Sequence, residues 1–223
     1  MRMRVVRGLA PFALALGLAR GAAAQVQGIP VNNSGVPRGI GLYGDVGFPN
    51  TDAGKGTALA ATARVGIGLI GASATVSTYN PKGPGGSITS VGGTANFRVF
   101  GGPLVPLSVT LQGGAGYAKA GGGGAYATDT KLWRFPIGLG IALSIPNPAL
   151  AIKPWIAPRL DVTRSSLGGT SSTQTHFAVS GGVELNLLNG FGLQASYDWI
   201  KADALRPSTL ALGAHYGIRV PGL

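Results

Sequence analysis

Apolar and polar residues alternate with a period of two along nearly the whole of this chain, and no other feature restricts its fold as strongly. The pattern is clearest near the end. Leu210, Leu212, Ala214, Tyr216, Ile218 and Val220 fall on one face; Ala211, Gly213, His215, Gly217 and Arg219 fall on the other. Successive side chains of a strand point to opposite faces, so each such run is a strand with two chemically different sides. Ten runs are read, at about 39–48, 57–67, 69–79, 88–100, 105–118, 131–144, 150–164, 174–187, 190–201 and 208–220. Helical periodicity is hard to find. Beyond residue 24 no stretch reaches the roughly 18 uninterrupted apolar residues of a membrane helix.

Alternation alone does not say which face looks inward. A soluble barrel hides its apolar residues, and a membrane barrel turns them out. Composition decides. Charged residues make up 11 % of the chain, against about 25 % in typical soluble domains. The polar faces are mostly Gly, Ala, Ser, Thr, Asn and Gln rather than the Lys and Glu of a solvated exterior. Glycine, 39 of 223 residues, permits the tight curvature of a small barrel. The apolar faces are read as free of charge, with Lys119, Lys131, Arg164 and Lys201 assigned to outer loops. Phe48, Tyr117, Trp133 and Trp199 gather toward one end of the apolar face, and Phe191 and Tyr216 toward the other. Two such girdles mark the two interfaces of a membrane.

The expected fold is therefore all-β: an antiparallel up-and-down transmembrane β-barrel of ten strands, with eight as the fallback if the first hairpin lies outside it. The connections alternate. Longer ones fall at 49–56, 80–87, 119–130, 165–173 and 202–207, and shorter ones at 68, 101–104, 145–149 and 188–189. This places both termini on the short-turn side. Pro136, Pro154 and Pro158 sit inside expected strands. Each removes a ladder hydrogen bond, so bulges are expected there.

The N-terminus, MRMRVVRGLAPFALALGLARGAAAQ, joins a basic start to a short apolar stretch and a small-residue site before Gln25. Residues 1–24 read as a signal peptide. Its removal takes away four of the 18 bases and no acid, so the net charge falls from +11 to +7. Much of the basicity is thus targeting rather than a nucleic-acid footprint. Residues 25–38 read as a flexible N-terminal segment, and residues 39–223 as the barrel. The absence of Cys excludes disulfides, thiolate metal sites and Cys nucleophiles.

Taken together, these patterns resemble the small outer-membrane β-barrels of Gram-negative bacteria, of the OmpA/OmpX type, over about residues 39–223. The most specific part is the last strand. Gly213, Tyr216, Ile218 and Val220 fit the Gly-plus-alternating-hydrophobic form of that family's assembly signal, although the chain ends Pro221-Gly222-Leu223 where the family usually ends in Phe. The resemblance implies an outer-membrane location. It implies outer-membrane lipid, lipopolysaccharide and the barrel assembly machinery as partners. No cofactor, metal or nucleic-acid partner is expected.

By strand parity the lumen receives Asp45, Arg64, Arg98, Arg134, Lys153, Arg159, Asp161, Glu184, Asp198 and Arg219, together with His176 and His215. Lone charges in a narrow interior are costly, so these should pair. Two roles follow. One is an ionic network that plugs a barrel of structural or interaction function. The alternative is a narrow, weakly anion-favouring pore for small solutes or ions, since charged rings select ions. An enzyme is not expected. His176, Ser180 and Glu184 share a face, but a spacing of four residues separates strand side chains by about 13 Å. Gly121–Gly124 lacks the Lys-Ser/Thr of a phosphate-binding loop. The outer loops carry Lys55, Lys82, Lys119, Lys131, Arg164, Lys201 and Arg206 against Asp52, Asp129 and Asp203. That surplus suits either a solvated rim or contact with lipopolysaccharide phosphates.

Overall fold

The computed structural model describes residues 26–83, 86–102, 105–120, 130–147, 150–167, 169–187, 189–202 and 204–218. The expected signal peptide lies outside them. Ten strands follow one another: β1 (Gly39–Pro49), β2 (Gly56–Ile67), β3 (Ile70–Pro81), β4 (Ile88–Gly102), β5 (Val105–Ala120), β6 (Thr130–Leu143), β7 (Leu150–Leu167), β8 (Thr170–Leu187), β9 (Phe191–Lys201) and β10 (Ser208–Ile218). Each pairs antiparallel with its sequence neighbours, and β1 pairs with β10 to close the barrel. The first hairpin is part of the wall, so the count is ten and not eight.

The faces fall as parity requires. Leu42, Leu59, Ile70, Ile137, Leu193 and Leu212 are exposed on the outside, while the polar positions between them are buried. A water-soluble surface does not carry a continuous apolar belt of this kind. The barrel is one that spans a membrane. Tyr117 and Trp133 touch across β5 and β6 at the long-loop end, ring centroids 4.8 Å apart, and Phe191 and Tyr216 do the same across β9 and β10 at the other end. Lys119, Lys131, Arg164 and Lys201, expected in loops, belong to the strands and are exposed at their long-loop ends. Lys119 and Lys131 are cross-strand partners one step beyond the Tyr117–Trp133 pair. Charge on the outer face thus begins where the aromatic girdle stops.

Two expectations about the wall are corrected. The loop expected at 165–173 is mostly strand: β7 and β8 run 18 residues each, to Leu167 and from Thr170, with Gly169 between them at φ 87°. Ser165, Ser166, Ser171 and Ser172 pair across this hairpin. Polar on both faces, it has no alternation to betray it. The bulges expected at the prolines are not where register shifts; shifts occur between β4 and β5, around Phe100. At the prolines one ladder simply lapses. Pairing with β5 is interrupted between Gly113↔Ile137 and Gly116↔Arg134, the stretch holding Pro136. Pairing with β6 is interrupted between Gly138↔Arg159 and Ile141↔Ile156, the stretch holding Pro158. Pro154 lies just past the last β6–β7 pair, Ala142↔Trp155. On their other edges all three keep register. A residue without an N–H is tolerated where no partner asks for one.

The largest correction concerns the N-terminal segment. Residues 26–37 do not hang off the barrel; they run through it. Val26 and Ile29 pack with Ala58, Tyr79, Ile88 and Ala118 at the long-loop end. There the Gln27 backbone N–H donates to Ser90 Oγ at 2.9 Å, and Ser77 Oγ donates to the Gln27 carbonyl at 3.2 Å. Further down, Gln112 Nε2 donates to the Asn32 carbonyl at 2.9 Å. At the short-turn end, Arg98 Nη2 donates to the Val36 carbonyl at 3.2 Å. Val31 and Asn33 are fully buried. Extended chain of this length reaches about 40 Å, enough to cross a hydrocarbon layer of about 30 Å. Glycines in the wall make the room. A Cβ at Gly47, Gly66 or Gly140 would strike the backbone of Gly28, Pro37 or Asn33.

Two outcomes test this arrangement. Because the chain has no native Cys, the pair Gln27→Cys with Ser90→Cys should form one disulfide on mild oxidation, seen as a faster non-reduced band. Gln27→Cys with Ser144→Cys, which joins opposite ends, should not; the reverse result would place the segment elsewhere. On the outer face, Leu212→Arg in mid-strand should cost about 2–4 kcal/mol in urea unfolding from lipid vesicles, as charge on the lipid face does.

Candidate functional site

The inward residues sort into layers, and the register explains each. Toward the long-loop half, Arg134 from β6, Arg159 and Asp161 from β7, Ser180 from β8 and Asp198 from β9 converge. Strand neighbours set this up: Pro136 pairs with Asp161, and Ser180 with Asp198. Arg134 Nη2 and Arg159 Nε both donate to Asp161 Oδ2, at 2.5 and 3.0 Å. Arg159 Nη2 donates to Asp198 Oδ2 at 2.9 Å, and its Nη1 donates to Ser180 Oγ. All four charged side chains are at most 4 % exposed. Two guanidiniums against two carboxylates leave the layer neutral. Charges buried this deeply persist only when paired and hydrogen-bonded.

A second group lies toward the short-turn half. Glu184 of β8 accepts from Ser34 Oγ at 2.6 Å and from Arg64 Nη1 of β2 at 3.1 Å. Ser34 belongs to the threaded segment, so this contact ties the segment to the wall. The Arg64 guanidinium sits 3.9 Å from the centre of the Tyr43 ring, a cation–π contact. Tyr43 stacks on His215 with centroids 4.8 Å apart, and His215 Nε2 lies 3.0 Å from Asn186 Oδ1. Lys153 stands beside Glu184 as its cross-strand partner. Between the two groups, Gln194 Nε2 donates to Asp45 Oδ1.

Nine of the ten charged residues assigned to the lumen by parity are described, and all nine lie on the inner face; Arg219 is outside the described residues. Asp161, Asp198, Arg134 and Arg159 come together as one cluster, and Arg64 and Glu184 as another. Asp45, Lys153 and Arg98 are not ion-paired in either. Ser34, Tyr43, Ser180, Asn186 and Gln194 complete the networks; only Ser180 was singled out from sequence, and then as a possible catalytic neighbour of His176 rather than as a partner of Arg159. Parity puts the last four on the inner face, so only their polarity was needed to find them. Ser34 had no such signal. Among the described residues, Ser180 is held by Arg159 and His215 faces Asn186, so neither is part of a nucleophile–base pair. Among the described residues no cluster of His, Asp and Glu could hold a metal ion.

No family profile matches the chain, and no curated protein matches it. Among solved structures, the β domain of the Bordetella autotransporter BrkA superposes with a TM-score of 0.51 at 15 % identity, covering 80 % of this chain and 98 % of that one. Similarity extends to Ail, the attachment invasion locus protein of Yersinia pestis, with a TM-score of 0.38, 18 % identity and coverage of 81 % and 99 %. It extends also to the translocator domain of the autotransporter NalP from Neisseria meningitidis, with a TM-score of 0.39, 15 % identity and coverage of 95 % and 98 %. The fold is that of the outer-membrane β-barrels.

Removing one partner from the buried neutral layer should be expensive. Arg159→Met leaves two carboxylates sharing Arg134, and should lower stability by about 3–5 kcal/mol in urea unfolding. Adding Asp198→Leu to that variant should recover part of the loss, because the orphaned charge goes with it.

Proposed function

We propose that this outer-membrane β-barrel has a structural and interaction role in the bacterial envelope, with its lumen closed rather than conducting. The observation that carries the reading is the threaded segment. Val31, Asn33 and Ser34 are buried inside a ring of strands whose own inner side chains are already ion-paired. A barrel filled in this way has no continuous aqueous path. Its interacting parts are then its outer surfaces. Lys119, Lys131, Arg164 and Lys201, set just beyond the aromatic girdle, suit the phosphates of lipopolysaccharide. For biogenesis, Gly213, Tyr216 and Ile218 on β10, with Val220 beyond the described residues, act as the signal read by the barrel assembly machinery. Tyr216 and Ile218 are exposed on the outer face, which leaves them readable before insertion.

The second reading, a narrow anion-favouring pore, draws on one observation: the cations Arg64, Arg98 and Lys153 all line the short-turn mouth. It requires the segment to leave the lumen. Planar-bilayer recording separates the two. The intact protein should be electrically silent, and a variant lacking residues 26–36 should show discrete, weakly anion-selective openings. Steady openings of the intact protein that are altered by Arg98→Ala or Arg134→Ala would overturn the closed-barrel reading in favour of the pore.

A further inference from the structure

At the short-turn end the lumen widens into a cavity of about 690 Å³. Its floor is the threaded segment from Ser34 to Arg38, and its walls come from β1, β2, β4, β5, β7, β8 and β10. Four cations line it: Arg38, Arg64, Arg98 and Lys153. One carboxylate, Glu184, lines it with them, and that group is already engaged by Arg64 and Ser34. Among the described residues, Arg38, Arg98 and Lys153 have no carboxylate within ion-pair distance. The one hydrogen bond of the Arg98 side chain goes to the Val36 carbonyl, which leaves most of its donors free. The cavity therefore carries three more positive than negative side chains. It also presents the neutral hydrogen-bonding groups of Asn186 and His215.

This contrasts with the rest of the interior. The deeper layer balances two Arg with two Asp. Concentrating uncompensated cations on a confined, partly apolar wall raises the local potential and draws in a counter-anion. Ammonium and guanidinium groups bind oxyanions through short, charge-assisted hydrogen bonds. The volume is that of a small-molecule site.

We propose that this vestibule binds a small phosphate-bearing anion, held by Lys153, Arg98 and Arg38 against the end of the threaded segment. The shared chemistry is the phosphate oxyanion, whether of a soluble phosphate or of a phospholipid headgroup. The proposal goes beyond the closed-barrel reading and rests on it for the segment that floors the site: a conducting intact barrel overturns that reading, whereas a silent, folded barrel that fails to bind overturns this one alone.

The test uses the full folded protein in non-ionic detergent at low salt, titrated calorimetrically with inorganic pyrophosphate. One site per barrel is expected, weakening as salt rises. Lys153→Gln and Arg98→Gln should each weaken it about tenfold or more, the loss of one charged hydrogen bond. Lys153→Arg should retain binding. Lys131→Gln, on the outer rim, should leave it unchanged. Heat-modifiable gel migration shows that each variant is folded. Repeating the titration in nanodiscs separates the sources. Weaker pyrophosphate binding when phosphatidylglycerol replaces part of the phosphatidylcholine shows a headgroup competing for the site, and equal binding shows a soluble ligand. Absence of binding, or binding that Lys131→Gln weakens while folded Lys153→Gln and Arg98→Gln do not, would overturn the proposal.

Discussion

Hydrocarbon offers no hydrogen bonds, so a strand that enters a bilayer must be paired along both edges. Everything else in this molecule follows from meeting that demand with ten strands. Closure of β1 on β10 removes the last free edge. The price is an interior. Alternation, which turns one set of side chains to lipid, turns the other set inward whether or not they can fill the space. In this chain they cannot, because the inward positions are dominated by Gly, Ala, Ser and Thr. The residual volume is filled by a piece of the same chain, entering from the short-turn end and reaching the residues that close the long-loop end.

Wall and filling are complementary in detail. The glycines at 47, 66 and 140 have ordinary negative φ, so a strand does not require them for backbone reasons. What they supply is the absence of a Cβ where the backbone of the segment passes. Polar contacts follow the same logic. The carbonyls of Gln27, Asn32 and Val36 have no ladder to join, and side chains from three different strands supply donors to them. A buried backbone carbonyl left without a donor would weaken the packing that buries it. The wall thus satisfies the segment, and the segment removes the void that small side chains leave.

The strands were legible because two physical demands, lipid outside and polar filling inside, imprint a period of two on the sequence. The signal failed where only one demand acts. The β7–β8 extension, Ser165–Ser166 against Ser171–Ser172, lies beyond the level of Trp133 in the aromatic girdle and is polar on both faces, so it read as loop. Residues 26–37 failed for a different reason. Val-Gln-Gly-Ile-Pro-Val-Asn-Asn-Ser-Gly-Val-Pro carries the Gly, Pro and Asn of a linker, and its hydrogen-bonding partners in the wall lie 30 to 150 residues away. The ion network was half legible. Parity placed Arg159 and Asp198 inside, but which charge meets which depends on register and tilt, and those are properties of the closed barrel rather than of any strand.

The interior distributes charge by depth. Where water is excluded, around Asp161 and Asp198, the signs cancel and both guanidiniums donate to carboxylates. Desolvation enforces this, because an unpaired ion there would cost several kcal/mol. At the short-turn mouth, where the cavity meets solvent, the constraint relaxes, and there the chain keeps an excess of cations. Stability explains the neutral layer without any appeal to function. It does not explain why Arg38, Arg64, Arg98 and Lys153 share one cavity with Glu184 as the single carboxylate lining it. A surplus of like charge in one small space works against the fold, so its presence is best accounted for by something of opposite sign that is meant to share that space.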